Sequence, residues 1–153
     1  MPDDFKNIVR LRLYEVFLSL GHCPTTAEVA AALHCGVDEV AAAFKELAAA
    51  HMLVLQPESG EVLMANPLSA VPTPFAVETE EGCGARCWYG NCIWDALGVI
   101  SMLQRDGRVI TSCGCCGERM TVSVHAGVVQ ADPSGVVHFA IPAKRWWDDI
   151  VFN

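Results

Sequence analysis

A thiol and a carboxylate stand three residues apart in the stretch Trp88-Tyr-Gly-Asn-Cys-Ile-Trp-Asp-Ala-Leu-Gly98, within an otherwise aromatic and apolar surround. If Asn91 caps a helix that opens here, Cys92 falls in its first turn, where unpaired backbone N–H groups favour a thiolate. Residues i and i+3 share a helix face, so Asp95 lies beside the sulfur. A carboxyl group next to a thiolate in an apolar wall has a raised pKa and can hold a proton. One side chain can then attack while its neighbour donates. The competing reading is that Cys92 is a small core residue, as cysteines on amphipathic helices commonly are.

The remaining thiols bear on that choice. Of eight cysteines, six (Cys83, Cys87, Cys92, Cys113, Cys115 and Cys116) fall in a window of 34 positions, while Cys23 and Cys35 stand apart. In a reducing compartment such residues are thiols, metal ligands or catalytic groups rather than disulfides. Cys113-Gly-Cys-Cys116 contains a Cys-x-x-Cys knuckle, and Cys83 with Cys87 could supply a second pair, which together would make a tetrahedral structural zinc site. Buried or spare thiols around one reactive thiol are the alternative. The five histidines (His22, His34, His51, His125, His138) are scattered without the spacing of a Cys–His dyad, which gives thiol-protease chemistry little support. Trp88, Trp94, Trp146 and Trp147 are core or rim aromatics that could also line a hydrophobic pocket.

The elements that must position these groups read as α+β. Apolar residues at helical spacings predict helices over about 5–20, 26–33 and 37–51, the second opened by a Thr cap with Glu28 in its first turn. Residues 52–55 and 61–64 flank a Pro-Glu-Ser-Gly turn as a hairpin. Three helices followed by a hairpin is the order of a winged-helix lobe, assigned to residues 1–66. A connector at 67–80 follows, extended and rigid because its three prolines forbid helix, with a short strand at 75–78 towards its end. The lobe at 81–153 holds the motif helix (about 92–103), strands near 108–111, 120–125, 128–130 and 136–141 in a small mixed or antiparallel sheet, and a short helix at 143–150.

Composition narrows the function class. Hydrophobic residues make up 52% of the 153, which is enough for a sizeable core and excludes a disordered chain. The net charge of −8 opposes nucleic-acid binding. Residues 1–70 alone carry nine acidic side chains against four basic, and the third helix offers Lys45 against Asp38, Glu39 and Glu46. A metal-responsive winged-helix regulator therefore ranks last among the readings. No apolar run reaches the roughly 18–20 residues of a membrane span, and the opening Met-Pro-Asp-Asp lacks a basic leader, so a cytoplasmic protein without a membrane partner is expected.

Several stretches together resemble the alkylmercury (organomercurial) lyase family: 67–74 with 88–98, Ile110-Thr-Ser-Cys-Gly-Cys-Cys-Gly117, and Val137 through Ile150 with its Pro-Ala-x-x-Trp-Trp-Asp-Asp core. The likeness extends over nearly all of the chain. It implies protonolysis of the carbon–mercury bond of a small organomercurial, giving a hydrocarbon and Hg(II). Cys92 would bind mercury and Asp95 would handle the proton delivered to carbon. Mercury is soft and suits thiolate. No organic cofactor is implied, and Hg(II) would pass to small cytosolic thiols or a mercury reductase. A thiol-rich soft-metal-binding protein of the same fold, without turnover, is the alternative.

The family also has a second mercury-binding cysteine shortly after the Trp-Trp-Asp-Asp segment, about where this sequence stops at Val151-Phe152-Asn153. Three alternatives follow: the second ligand is missing, or Cys113, Cys115 or Cys116 stands in for it, or the frame stops at a UGA that encodes selenocysteine. The genomic codon after Asn153 tests the third. UGA followed by a continuing homologous frame is the expected outcome, and UAA or UAG there ends the idea.

Overall fold

The computed structural model describes residues 3–79 and 87–151. Three helices open it: α1 (Asp3–Leu20), α2 (Thr26–Leu33) and α3 (Val37–Ala49). A first sheet, of strands β1 (Val54–Leu55), β2 (Val62–Ala65) and β3 (Leu68–Ser69), is antiparallel in that order. The second sheet has the order β5-β4-β6-β7-β8 and is antiparallel at every pairing. Its strands are β4 (Ala76–Thr79), β5 (Trp88–Tyr89), β6 (Gly107–Ser112), β7 (Arg119–His125) and β8 (Val128–Asp132). Helix α4 (Ile93–Leu103) connects β5 to β6 and packs on β4 and β6. The α+β class read from the sequence is the class observed.

Local chemistry explains the helix starts. Thr25 and Glu28 form a reciprocal capping box, with Thr25 N donating to Glu28 Oε2 at 2.7 Å and Glu28 N donating to Thr25 Oγ1 at 3.2 Å. Glu61, on the hairpin, accepts from Thr26 N at 2.8 Å and Thr26 Oγ1 at 2.9 Å, which ties the first sheet to the start of α2. Val9, Leu13 and Phe17 of α1 and Val40, Phe44 and Leu47 of α3 are fully buried and belong to the same core cluster as Val77, Trp88, Val99, Ile100 and Val109. One apolar core therefore runs from the helices into the second sheet.

Three expectations change. The Pro-rich connector does not run on as an extended strap: it turns at Asn66-Pro67, and Leu68 and Ser69 pair back on Ala65 and Met64 as β3. Residues 136–141 form no strand despite their alternating pattern. Pro133 and Gly135 carry the chain off the edge strand β8, and Val136 is left 91% exposed with no strand beside it among the described residues. The last helix, a 3-10 helix, spans Ala143–Asp148 and stops short of residue 150. Its Trp147 stacks on His51 beyond α3, with centroids 4.1 Å apart and planes 8° from parallel, so this segment closes back over the helical lobe.

Gly90 fixes where α4 starts. A Cβ there would stand 2.4 Å from Ala96 N and 2.6 Å from Ala96 Cα, both backbone atoms that cannot turn aside. Its own backbone is held by Gly90 N donating to Phe75 O at 3.1 Å and Thr73 Oγ1 donating to Gly90 O at 2.6 Å. Gly90→Ala should push the first turn of α4 off the sheet and destabilise the fold by roughly 1–3 kcal/mol. A urea midpoint equal to that of the parent chain would show that the close approach is not a constraint.

Candidate functional site

Strand β5 ends at Tyr89, and the chain enters α4 through Gly90, Asn91 and Cys92. The cap is Cys92 itself rather than Asn91. Cys92 has extended backbone (φ −143°, ψ −179°), and its sulfur accepts from Asp95 N at 3.4 Å. The thiol thus caps the helix that carries its carboxylate neighbour, and both side chains are half-buried. Cys92 and Asp95 are brought together as the spacing predicts.

Asn91 does a different job. Its Nδ2 donates to Asp95 Oδ2 at 3.1 Å and to Asn66 Oδ1 at 3.0 Å, while its own Oδ1 is buried without a partner among the described residues. Both amide hydrogens are therefore committed, and the two acceptors set the amide orientation. Asn66 in turn accepts through its backbone carbonyl from the Tyr14 hydroxyl at 2.6 Å. Tyr14 lies near enough to Asp95 to feel its charge, which adds to the burial that raises the phenol pKa. Tyr14 of α1 and Asn66 of the β2–β3 turn were not legible as site residues, because they come from elements 77 and 25 residues away from the site's own. For Asn91 the signal was present, an amide four residues before a carboxylate at a helix start, but it suggested a cap.

The electrostatics oppose a free thiolate. Burial pushes the Cys92 thiol up, the N–H of Asp95 pulls it down, and the Asp95 charge pushes it up again. The net shift is upward, so the helix start does not produce the low-pKa thiol expected there. Burial likewise raises Asp95, against the stabilising hydrogen bond from Asn91. Burial thus shifts both groups toward their neutral forms.

The other expected groups divide. Trp94 is 57% exposed on the first turn of α4 and lines a surface cleft of about 630 Å3 with residues 139–143 and Trp146. In its lining Phe139 stands edge-on to Trp94 (6.0 Å) and tilted against Trp146 (5.3 Å). Trp88 is instead buried in the core, and Trp147 is spent on His51, so two of the four tryptophans form the cleft.

Cys113, Cys115 and Cys116 sit at the β6–β7 turn. Backbone N–H groups of Cys116 and Cys115, and the Cys116 side chain, hydrogen-bond to Cys113 sulfur and lower its pKa. Cys87 is raised, chiefly by burial. In sheet register Cys87 falls beside Glu78 and Arg108, five residues along β6 from Cys113, or about 16 Å of strand. Cys87 therefore does not join the Cys113 knuckle. Cys83 lies outside the described residues. Among the described residues no group of three or more His, Cys, Asp or Glu side chains is placed to hold a metal ion.

The alkylmercury lyase family model matches residues 68–152, more than half of the chain, and spans the whole Cys92–Asp95 site. The chain belongs to the alkylmercury lyase family. A solved structure titled as the mercury-bound form of MerB2 shares the fold with a TM-score of 0.64 at 22% identity, over 87% of this chain. This chain spans 62% of that protein's length. No curated protein sequence matches it. No helix among the described residues is long and apolar enough to cross a membrane.

Burial of Asp95 carries a stability consequence. A carboxyl whose folded pKa is raised stabilises the fold below its unfolded value, and this contribution is lost as pH rises through the folded value. At neutral pH, above the unfolded value, the raised pKa of Asp95 therefore costs stability. Asp95→Asn, which keeps an acceptor for Asn91 Nδ2, should raise the melting temperature at pH 7. The gain should shrink as the pH falls toward about 4, the ordinary carboxylate range. A gain that is no larger at pH 7 than in acid would contradict this account.

Proposed function

We propose that this protein cleaves the carbon–mercury bond of small organomercurials by protonolysis at Cys92 and Asp95. The observation that supports it is the joined placement of the two groups: a thiol capping the helix on which its acid sits, with burial raising the pKa of both.

The chemistry follows from those preferences. An alkylmercury cation is soft and displaces the Cys92 proton to form an S–Hg bond. The displaced proton has a nearby acceptor in the Asp95 carboxylate, whose protonation burial favours. Asn91 holds Oδ2 through its amide hydrogen, which leaves Oδ1 to carry the proton. Mercury bound to sulfur polarises its bond to carbon, and Asp95 then delivers the proton to that carbon. The carbon–mercury pair of electrons forms the new C–H bond, and mercury stays on sulfur as Hg(II). Trp94, Phe139 and Trp146 offer the organic group an apolar surface beside the first turn of α4. Hg(II) then leaves to small thiols or a reductase.

A second reading, stoichiometric soft-metal binding without turnover, is favoured by one observation: three further thiols crowd the β6–β7 turn. Headspace gas analysis after addition of methylmercury separates the two. Methane is expected from the parent chain. Cys92→Ser should abolish it, and Asp95→Asn should lower it by about 100-fold or more while methylmercury still binds. Uptake of mercury with no methane from the parent chain would leave the binding reading in possession.

A further inference from the structure

Strands β5 and β6 both pair antiparallel with β4, so they run parallel to each other on its two sides. Ala76 of β4 is opposite Tyr89 on one side and Ile110 on the other. Cys92 comes three residues after Tyr89, and Cys113 comes three residues after Ile110. Both thiols therefore follow the same end of the sheet, Cys92 at the start of α4 and Cys113 in the β6–β7 turn. At that end the β6–β7 turn is closed by Cys113 N donating to Glu118 O at 2.7 Å and Gly117 N donating to Cys113 O at 2.8 Å. Gly117 has φ +74°, and the turn wraps the N–H groups of Cys115 and Cys116 around Cys113 sulfur. The Cys116 side chain also reaches that sulfur, whereas Cys115 contributes its backbone. Cys115 and Cys116 are exposed, and Cys113 is half-exposed.

We propose that Cys113 and Cys116 form a two-thiolate site for Hg(II), placed to take the metal from Cys92. Two thiols satisfy a cation that prefers two opposed sulfurs, whereas zinc needs four donors, which the described residues do not assemble here. The transfer is a thiolate exchange with no change of oxidation state. A small thiol carries the metal between them: its sulfur bonds the mercury held by Cys92, the Hg–S bond to Cys92 breaks, and the freed Cys92 thiolate takes up the proton the small thiol gave up. Cys113 and Cys116 then each give up a proton as they bond the mercury; the small thiol leaves with one of those protons and the other goes to solvent. The transfer rests on the lyase reading; the two-thiol site does not.

The test uses the full chain carrying Cys92→Ser, which cannot act as a lyase, under reducing conditions. Mercuric chloride is added with excess glutathione as competitor. One Hg(II) per chain should be retained, and alkylation mapped by mass spectrometry should find Cys113 and Cys116 protected. Adding Cys113→Ser or Cys116→Ser should weaken retention by about 100-fold, while adding Cys115→Ser should leave it unchanged. Circular dichroism checks that each variant is folded, and the protection pattern in Cys92→Ser alone decides the matter if one is not. Equal losses from all three substitutions, or protection of other cysteines instead, would overturn the site. Failure of methane release from the parent chain, with retention intact, would remove the transfer and leave the site standing.

Discussion

The contact on which the site depends is a weak one: a backbone N–H, that of Asp95, donating to a sulfur at 3.4 Å. It joins the reactive thiol, the start of α4 and the acid into one unit. Because the sulfur is itself the helix cap, the thiol cannot rotate away without losing the cap. Because the donor belongs to Asp95, the backbone of the acid stays beside the thiol while the first turn is intact, and the Asn91 amide holds its carboxyl. Geometry that most acid–nucleophile pairs obtain from separate elements comes here from one helical turn.

That turn is held from outside. Gly90 lets β5 and α4 meet at backbone distance, and Thr73 pins the Gly90 carbonyl. Asn66 and Tyr14 anchor Asn91, which in turn holds one oxygen of Asp95. The helical lobe thus has a role at the site through Tyr14, even though it contributes no thiol or carboxylate there. Pro67 packs near Gly98, where a Cβ would stand 3.4 Å from the Pro67 side chain, so the β2–β3 turn lies against α4 as well as against Asn91 before it.

What could be read from the sequence follows the range of the physics. Cys92 and Asp95 were legible because a helical turn is local, and so were the capping box of Thr25 and the strands β6, β7 and β8. The strand expected at 136–141 was not, because alternation reports a preference while pairing needs a free edge reached at the right angle. Tyr14 and Asn66 are invisible for a related reason: a hydrogen bond across many residues leaves no local pattern. Cys92's protonation was misjudged because the helix start could be read from spacing, whereas the burial that outweighs it could not.

The thiols themselves show how far environment divides one residue type. Cys23, half-buried near Glu61 and Glu28, is pushed up to about 12, chiefly by desolvation. Cys113, in a turn of inward-pointing N–H groups, is shifted the other way. Cys92 stands between them, raised by burial yet touching an N–H donor. Its position is informative because sulfur is a poor choice for a cap: Ser, Thr, Asp or Asn would hold the same N–H more strongly. A chain selected for stability alone would place one of those at residue 92 and an uncharged residue at the half-buried position 95. Cysteine and aspartate at both positions are weaker choices for the fold and well suited to a soft metal and a proton. The local loss in stability is thus itself an argument that the pair serves chemistry.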